Sequence, residues 1–342
     1  MNLVRFAQLT TATLPFIFAS CSKQEEAKLQ ARTETPAPAP AVEKVVEAPK
    51  APEPAPAPAA KPSEFAVTNP EVGLGDFGSA EPIERADTPT RGVIVLPIVQ
   101  ETNFAPAAHW EQFNIPFKTT RWGRYTVRMT YQLKTSSLGV QLKFGEDRLK
   151  KQLTNTNGGE KRVTIGDIYI PAAGDQFMAI YTPANVGYVH FYPQSLELVP
   201  AGEGEDAKQA DDGSVALLAK DATTWSENMR FEPKPEKNCL GFWTDPQDFA
   251  EWQFTVEKPG KFAVALHHGC GGGGGSDVAV EFEGQELKFK VQDTGGFQKW
   301  SEAKVGELKI DKPGTYHLTV KAQNKQGNAV MDVQKIVLAP VS

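Results

Sequence analysis

The chain has 342 residues, enough for about two domains, with 40% hydrophobic and 23% charged residues and a net charge of −6. Residues 1–62, 63–200 and 201–342 carry net charges of +1, −1 and −6, and the lack of a strongly basic domain argues against a nucleic-acid binder. Beyond residue 20 no apolar run approaches the roughly 18 residues of a spanning helix, so any membrane contact is expected through an anchor alone.

At the N-terminus, Arg5 precedes a short, mostly apolar stretch from Phe6 to Phe18, which leads into Phe18-Ala19-Ser20-Cys21. This resembles the bacterial lipobox, in which small residues precede a cysteine that is acylated and becomes the mature N-terminus. The resemblance implies a signal peptide over 1–20, lipidation (palmitate among the acyl chains) at Cys21 and a place in the cell envelope. A plain cleaved signal or a short buried helix is the other reading. Several acyl chains on one residue make a stable anchor. By resemblance to enteric sorting rules, Ser22 in place of Asp favours the outer membrane. Residues 21–62 are expected to be a disordered stalk. Between 33 and 62, nine of 30 residues are proline, nine are alanine and none is aromatic. Such a segment buries no core and favours polyproline II, reaching roughly 90 Å at about 3.1 Å per residue.

The remainder contains one pattern twice. Val140, Leu142, Phe144 and Leu149-Lys150 recur as Val278, Val280, Phe282 and Leu287-Lys288 at an offset of 138. Gly166, Ile168 and Ile170 recur as Gly306, Leu308 and Ile310 at 140, as do Leu196, Leu198 and Pro200 in Ile336, Leu338 and Pro340. A near-constant offset over this length indicates a tandem duplication, with units at 63–200 and 201–342. Both units predict strands. Tyr125, Val127, Met129 and Tyr131 alternate with polar residues, as do Phe262, Val264 and Leu266, which is the period of a half-buried strand. Turn signals at Ala173-Gly174, Pro259-Gly260 and Pro313-Gly314 punctuate them. The expected fold is all-β: two tandem antiparallel β-sandwiches.

In the second unit, Lys237-Asn238 through Leu240-Gly241-Phe242-Trp243, then Trp252 and Phe254, Gly269-Cys270-Gly271, Asp293-Thr294-Gly295 and Ala329-Val330-Met331-Asp332 form a recognisable series. Residues 213–340 resemble the galactose-binding-like β-sandwich appended to many bacterial sulfatases. That module is similar in turn to carbohydrate-binding modules with a jelly roll. The resemblance implies a jelly-roll fold and a carbohydrate ligand. It also implies a structural calcium held by acids on the first strand and by a late aspartate. Asp332 matches the aspartate, but Lys220 stands where an acid is expected, so calcium is disfavoured. No other cofactor and no metal site is expected. The first unit shares this likeness only through the repeat.

Catalytic signatures are missing. None of Cys21, Cys239 and Cys270 is followed by the x-Pro-x-Arg that a sulfatase nucleophile needs, and no Gly-x-Ser-x-Gly occurs. The Gly271–Gly275 run lacks a following Gly-Lys-Ser/Thr, so it reads as a loop and not a phosphate cradle. Adjacent His267 and His268 face opposite sides of a strand and make a poor chelating pair. Cys239 and Cys270, in an exported domain, either form a disulfide closing a 30-residue loop, contributing about 3 kcal/mol, or remain two buried thiols.

The candidate ligand residues are those a sugar needs: flat rings to stack on, with polar groups beside them. Asn238, Phe242, Trp243, His267, Asp293 and Trp300 meet that description near predicted strand ends. Residues 118–162 carry a net charge of +8. Arg124, Arg128 and Lys143 alternate there with apolar residues, and they are expected on one solvated face suited to an anionic ligand. The function these features point to is non-catalytic: a lipid-anchored envelope protein that binds polysaccharide or glycoconjugate, with anionic or sulfated polysaccharide as the expected ligand. The alternative is a scaffold for a protein partner such as a polysaccharide-degrading enzyme.

Overall fold

The computed structural model describes residues 89–106, 110–183 and 190–341. The signal segment, Cys21, the stalk and residues 63–88 lie outside the described residues. In the first half the strands are β1 (Ile94–Pro97), β2 (Phe104–Pro106), β3 (Trp110–Thr119), β4 (Gly123–Leu133), β5 (Ser137–Phe144), β6 (Asp147–Thr154), β7 (Lys161–Ile170), β8 (Gly174–Pro183) and β9 (Phe191–Pro200). They form two antiparallel sheets, ordered β1-β9-β4-β7 and β2-β3-β8-β5-β6. The second half continues with β10 (Ala207–Lys208), β11 (Val215–Leu218), β12 (Thr223–Trp225), β13 (Arg230–Glu232), β14 (Cys239–Gly241), β15 (Phe249–Val256) and β16 (Gly260–Cys270). It ends with β17 (Asp277–Phe282), β18 (Gln285–Lys290), β19 (Gly296–Ile310), β20 (Gly314–Ala322) and β21 (Asp332–Pro340). One of its sheets runs β10-β15-β20-β17-β18 with β12 added at β15, and the other β13-β14-β21-β16-β19 with β11 added at β21. The chain is thus all-β, with two sandwiches that are antiparallel apart from the short β10–β15 pair.

Alternation drives both cores. Along β4, residues from Gly123 to Leu133 are buried at every second position. Tyr125, Val127, Met129, Tyr131 and Leu133 join the first core, while Phe262, Val264 and Leu266 of β16 join the second. Each large side chain removed from water contributes about 1.5–3 kcal/mol. The duplication also shows in irregularities. The β4–β7 ladder slips at Val127/Arg128 opposite Gly166, and the β16–β19 ladder slips at Val264/Ala265 opposite Gly306. Both glycines lie in the positive-φ region, at 149° and 148°, and a Cβ on either would press on the repeat-equivalent leucines Leu149 and Leu287. The ladders β4–β9 and β16–β21 slip again at equivalent places, each leaving a glutamine, Gln194 or Gln334, as the extra residue.

The sandwiches are joined by buried polar contacts. Arg121, 3% exposed, donates from Nε to the Tyr125 hydroxyl at 2.9 Å, from Nη1 to Thr224 Oγ1 and the Met229 carbonyl, and from Nη2 to the Thr224 carbonyl at 3.2 Å. Trp122 Nε1 donates to the Phe231 carbonyl at 3.1 Å. Arg91 pairs with buried Asp248 at 2.5 Å and with Asp245 at 2.6 Å. Burial pushes the nearby Glu203 carboxyl up to about 7, against the pull of Arg124 and Arg121.

The basic stretch does not form the expected face. Arg124 and Arg128 lie on β4 in one sheet, and Lys143 lies on β5 in the opposite sheet. Arg128 stands opposite Glu197, which also pairs with Arg162. Arg124 enters a polar cleft of about 240 Å3 lined by Asp167, Asp206, Asp221, Glu251 and His317 among others. Shared composition along the chain predicts one face, but the topology places β4 and β5 in opposite sheets.

Candidate functional site

The face of the β13-β14-β21-β16-β19 sheet turned away from the core gathers chemistry from all five strands. Phe231, Leu240, Val333 and Leu266 point into the core or pack against it, so by alternation their neighbours face outward. These are Arg230 and Glu232 on β13, Cys239 and Gly241 on β14, Asp332 on β21, and His267 and Gly269 on β16. Across the sheet, Arg230 stands opposite Gly241, Glu232 opposite Cys239, and Gly269 opposite Asp332.

Two glycines make room on this face. A Cβ on Gly241 would lie 2.3 Å from Glu232 Oε2, and one on Gly269 would lie 2.0 Å from the Phe297 carbonyl oxygen and 3.2 Å from the Trp300 ring. The bare strip therefore lets the Glu232 carboxylate and the Trp300 ring lie close to the backbone. Trp300 is half-buried and Phe242 is 37% exposed. Phe242 adopts a left-handed backbone, φ 61°, directly after β14. Its ring lies edge-on to Trp122 of the first sandwich at 6.1 Å, and the Arg230 guanidinium sits over both rings, 3.9 Å from Trp122 and 3.5 Å from Phe242. Such cation–π contacts gain strength when desolvated.

Two buried carboxylates each hold a more exposed polar group. Glu232 Oε1 accepts from Lys237 Nζ at 2.5 Å, and Asp332 Oδ2 accepts from the Gln298 amide at 3.3 Å. Asp332 is 5% exposed. Burial, reinforced by the Glu232 charge, pushes its carboxyl up to about 7. The Cys239 thiol lies 3.7 Å from Asp332 Oδ2 and is held protonated by burial and the two carboxylates. Burial lowers the Arg230 pKa to about 10, with Arg121 adding to the effect and Glu232 opposing it.

Glu232, Cys239 and Asp332 place three ligand-type atoms within 4.8 Å of one another. Calcium does not suit this set, because it takes six to eight hard oxygen ligands, whereas one donor here is a thiol and Lys237 already neutralises Glu232. The first strand offers no help: Leu218 is exposed and Lys220 points to solvent.

Of the residues singled out from the sequence, Phe242, His267 and Trp300 reach this face. Trp243 does not. The left-handed turn at Phe242 sends the next side chain inward, and Trp243 is fully buried in the core, donating to the Asp248 carbonyl at 3.1 Å. Asn238 is exposed in the turn before β14, with φ 45°. His267 faces outward and pairs with Glu302 at 3.4 Å, while His268 faces inward, edge-on to Phe289. Asp293 fastens the glycine-rich loop, accepting from the Gly273 and Gly295 amides at 2.8 and 2.7 Å. The two cysteines are free, buried thiols. β21 lies between their strands, which sets those strands about 9–10 Å apart, and the register puts Cys239 and Cys270 at different levels along them, beyond disulfide reach. Cys270 is in the core and Cys239 on the outer face.

Sequence reading missed Trp122, Arg230, Glu232, Lys237 and Gln298. The two-residue spacing of Arg230 and Glu232 was a usable signal of a shared face. Nothing in the sequence shows that Trp122 arrives from the other sandwich.

A family model described as "Domain of unknown function (DUF5077)" matches residues 222–341. No curated protein matches the chain. Among solved structures, the chain is similar to the C-terminal family 6 carbohydrate-binding module of a marine laminarinase from Zobellia galactanivorans, at 15% identity over 37% of this chain and 98% of that one, TM-score 0.31. A family 35 carbohydrate-binding module from Clostridium thermocellum aligns with the same identity and coverage, TM-score 0.32. A Paenibacillus xanthan lyase aligns over 74% of this chain and 25% of its own, at 13% identity, TM-score 0.30.

Proposed function

We propose that this protein is a non-catalytic carbohydrate-binding protein of the cell envelope, with its saccharide site on the outer face of β13-β14-β21-β16-β19. One observation carries the reading: surface-reaching aromatics, Phe242 and Trp300, border a strip cleared by Gly241 and Gly269 and furnished with Lys237 and Gln298. A pyranose has an apolar face that stacks on an aromatic ring and hydroxyls that bond to amides and ammonium groups. Buried Glu232 and Asp332 restrain those two polar groups, which lowers the entropy lost on binding. The same burial speaks against catalysis, because the Asp332 carboxyl is engaged by Gln298 and is not presented to a substrate. Lipidation at Cys21 would hold the site at a membrane, and the stalk would set its distance.

The scaffold alternative calls for a continuous apolar surface. Among the described residues the most exposed large apolar side chains are Val95 at 60% and Phe177 at 54%, and they lie on opposite sheets of the first sandwich. The test is a glycan array of neutral and acidic polysaccharides probed with the full chain and with Trp300→Ala. Binding that the substitution abolishes without changing thermal stability supports the reading. Absence of binding to every glycan would leave the scaffold reading in front.

A further inference from the structure

Arg230 is 8% exposed. Its Nη1 donates to the Asn228 carbonyl at 2.8 Å, while its covered Nε–H has no acceptor. Glu232, two residues along the same strand, is paired with Lys237, and no carboxylate among the described residues forms an ion pair with Arg230. Burying a guanidinium without a counter-charge is costly, and the ring faces of Trp122 and Phe242 offset only part of that cost. Arg121, also buried and positively charged, lies close enough to disfavour the Arg230 charge further. The junction of the two sandwiches therefore holds excess positive charge beside the strip where the saccharide is placed.

We propose that Arg230 is the acid-reading group of the saccharide site, taking the carboxylate or sulfate of an acidic sugar, with Trp122 and Phe242 fixing the plane of the guanidinium. This rests on the carbohydrate reading and narrows its ligand class. It also gives the first sandwich a part in the site, since Trp122 forms one wall of the clamp. Guanidinium is suited to the task because its planar fork matches a carboxylate or sulfate bidentately. Phe242, 37% exposed and outside the regular strand, is the side chain that turns aside to admit the anion.

The experiment is calorimetric titration of the full chain with two matched pairs of probes: oligogalacturonate with its carboxyl-reduced form, and a sulfated galactan oligosaccharide with its desulfated form. At least one charged probe is expected to bind tenfold or more tighter than its uncharged partner, the scale of a charge-assisted hydrogen bond. The pair that shows the preference distinguishes carboxylate from sulfate. Arg230→Gln should bring the ratio of charged to uncharged affinity to within about twofold. Equal binding of charged and uncharged forms overturns the proposal and leaves the carbohydrate reading standing. So does a preference that survives Arg230→Gln. Failure of all four probes to bind counts against the carbohydrate reading itself, and this proposal falls with it. If Arg230→Gln does not fold, competition on the unaltered protein decides. Free galacturonate or galactose 6-sulfate displacing a charged probe where galactose does not supports the proposal, and equal displacement overturns it.

Discussion

Asp332→Asn tests the electrostatics of the outer face directly. Asp332 is 5% exposed and its carboxyl is pushed up to about 7 in the folded protein, against about 3.9 in the unfolded chain. The folded state therefore holds this proton more tightly. The stability it lends is complete below pH 4 and is lost as pH rises through 7. Three pKa units at about 1.36 kcal/mol each put the loss on the order of 4 kcal/mol between pH 4 and 8. Asparagine keeps the size and the contact with Gln298 but has no proton to lose. Urea unfolding of both proteins, followed by tryptophan fluorescence across this range, gives the difference curve. Subtracting the two removes the opposite slope from His267 and His268, whose lowered pKa values destabilise the fold in acid, and the parallel slope from Glu203. The variant should be the more stable protein at pH 8, with the gap closing toward pH 4. A flat difference would show that Asp332 ionises freely in the folded state and refute the reasoning.

Other substitutions probe packing and connectivity. Gly269→Ala drives a methyl group to 2.0 Å from the Phe297 carbonyl. It should cost about 3 kcal/mol, a fall of roughly 6–12 °C in Tm; an unchanged melting curve would mean that β19 does not cross Gly269 as described. Trp243→Ala empties a fully buried site and should destabilise by about 3–5 kcal/mol, visible as a lower urea midpoint. If it instead removed ligand binding at unchanged stability, the ring would belong to the site and not the core. Cys239 and Cys270 should react with Ellman's reagent only after unfolding, and reductant should leave Tm unchanged; a drop in Tm on reduction would reveal a disulfide. Arg121→Met leaves Thr224, Met229 and Tyr125 without their shared donor. By calorimetry it should loosen the junction and split a single unfolding transition into two, and a single transition at the original Tm would deny Arg121 that role.

The fold was legible because alternation and turn residues are local properties. Tyr125 to Tyr131 and Phe262 to Leu266 declared their buried faces, and the recurrence of Gly166 as Gly306 at a near-constant offset marked the duplication, whose matching bulges only the structure shows. The site was only half legible. Phe242 and Trp243 are adjacent and equally aromatic, and one left-handed residue decides which is exposed. The +8 segment misled because charge counted along the chain ignores which sheet each strand joins; Lys143 parted from Arg124 and Arg128, and Glu197 came from a distant strand to face Arg128. Trp122 was invisible because its partner Arg230 is 108 positions away and in the other sandwich.

Register shows why the two copies differ in chemistry although they share a frame. The ladder position that pairs Gly269 with Asp332 in the second sandwich pairs Gln132 with Tyr192 in the first. Gly269 is needed for Phe297 and Trp300 to close over the strand, and a glutamine there forbids that approach. Asp332 supplies the buried acid that restrains Gln298; in its place Tyr192 turns its ring to the Lys134 ammonium, 4.7 Å from the ring centroid. The bulges, core alternation and matching leucines are needed to close a sandwich, and both copies keep them. The glycine and the acid serve no such need, since the first sandwich closes without them. What only the second copy holds is therefore the part that closing a sandwich does not require, and among the described residues of the first copy Trp122 reaches that face.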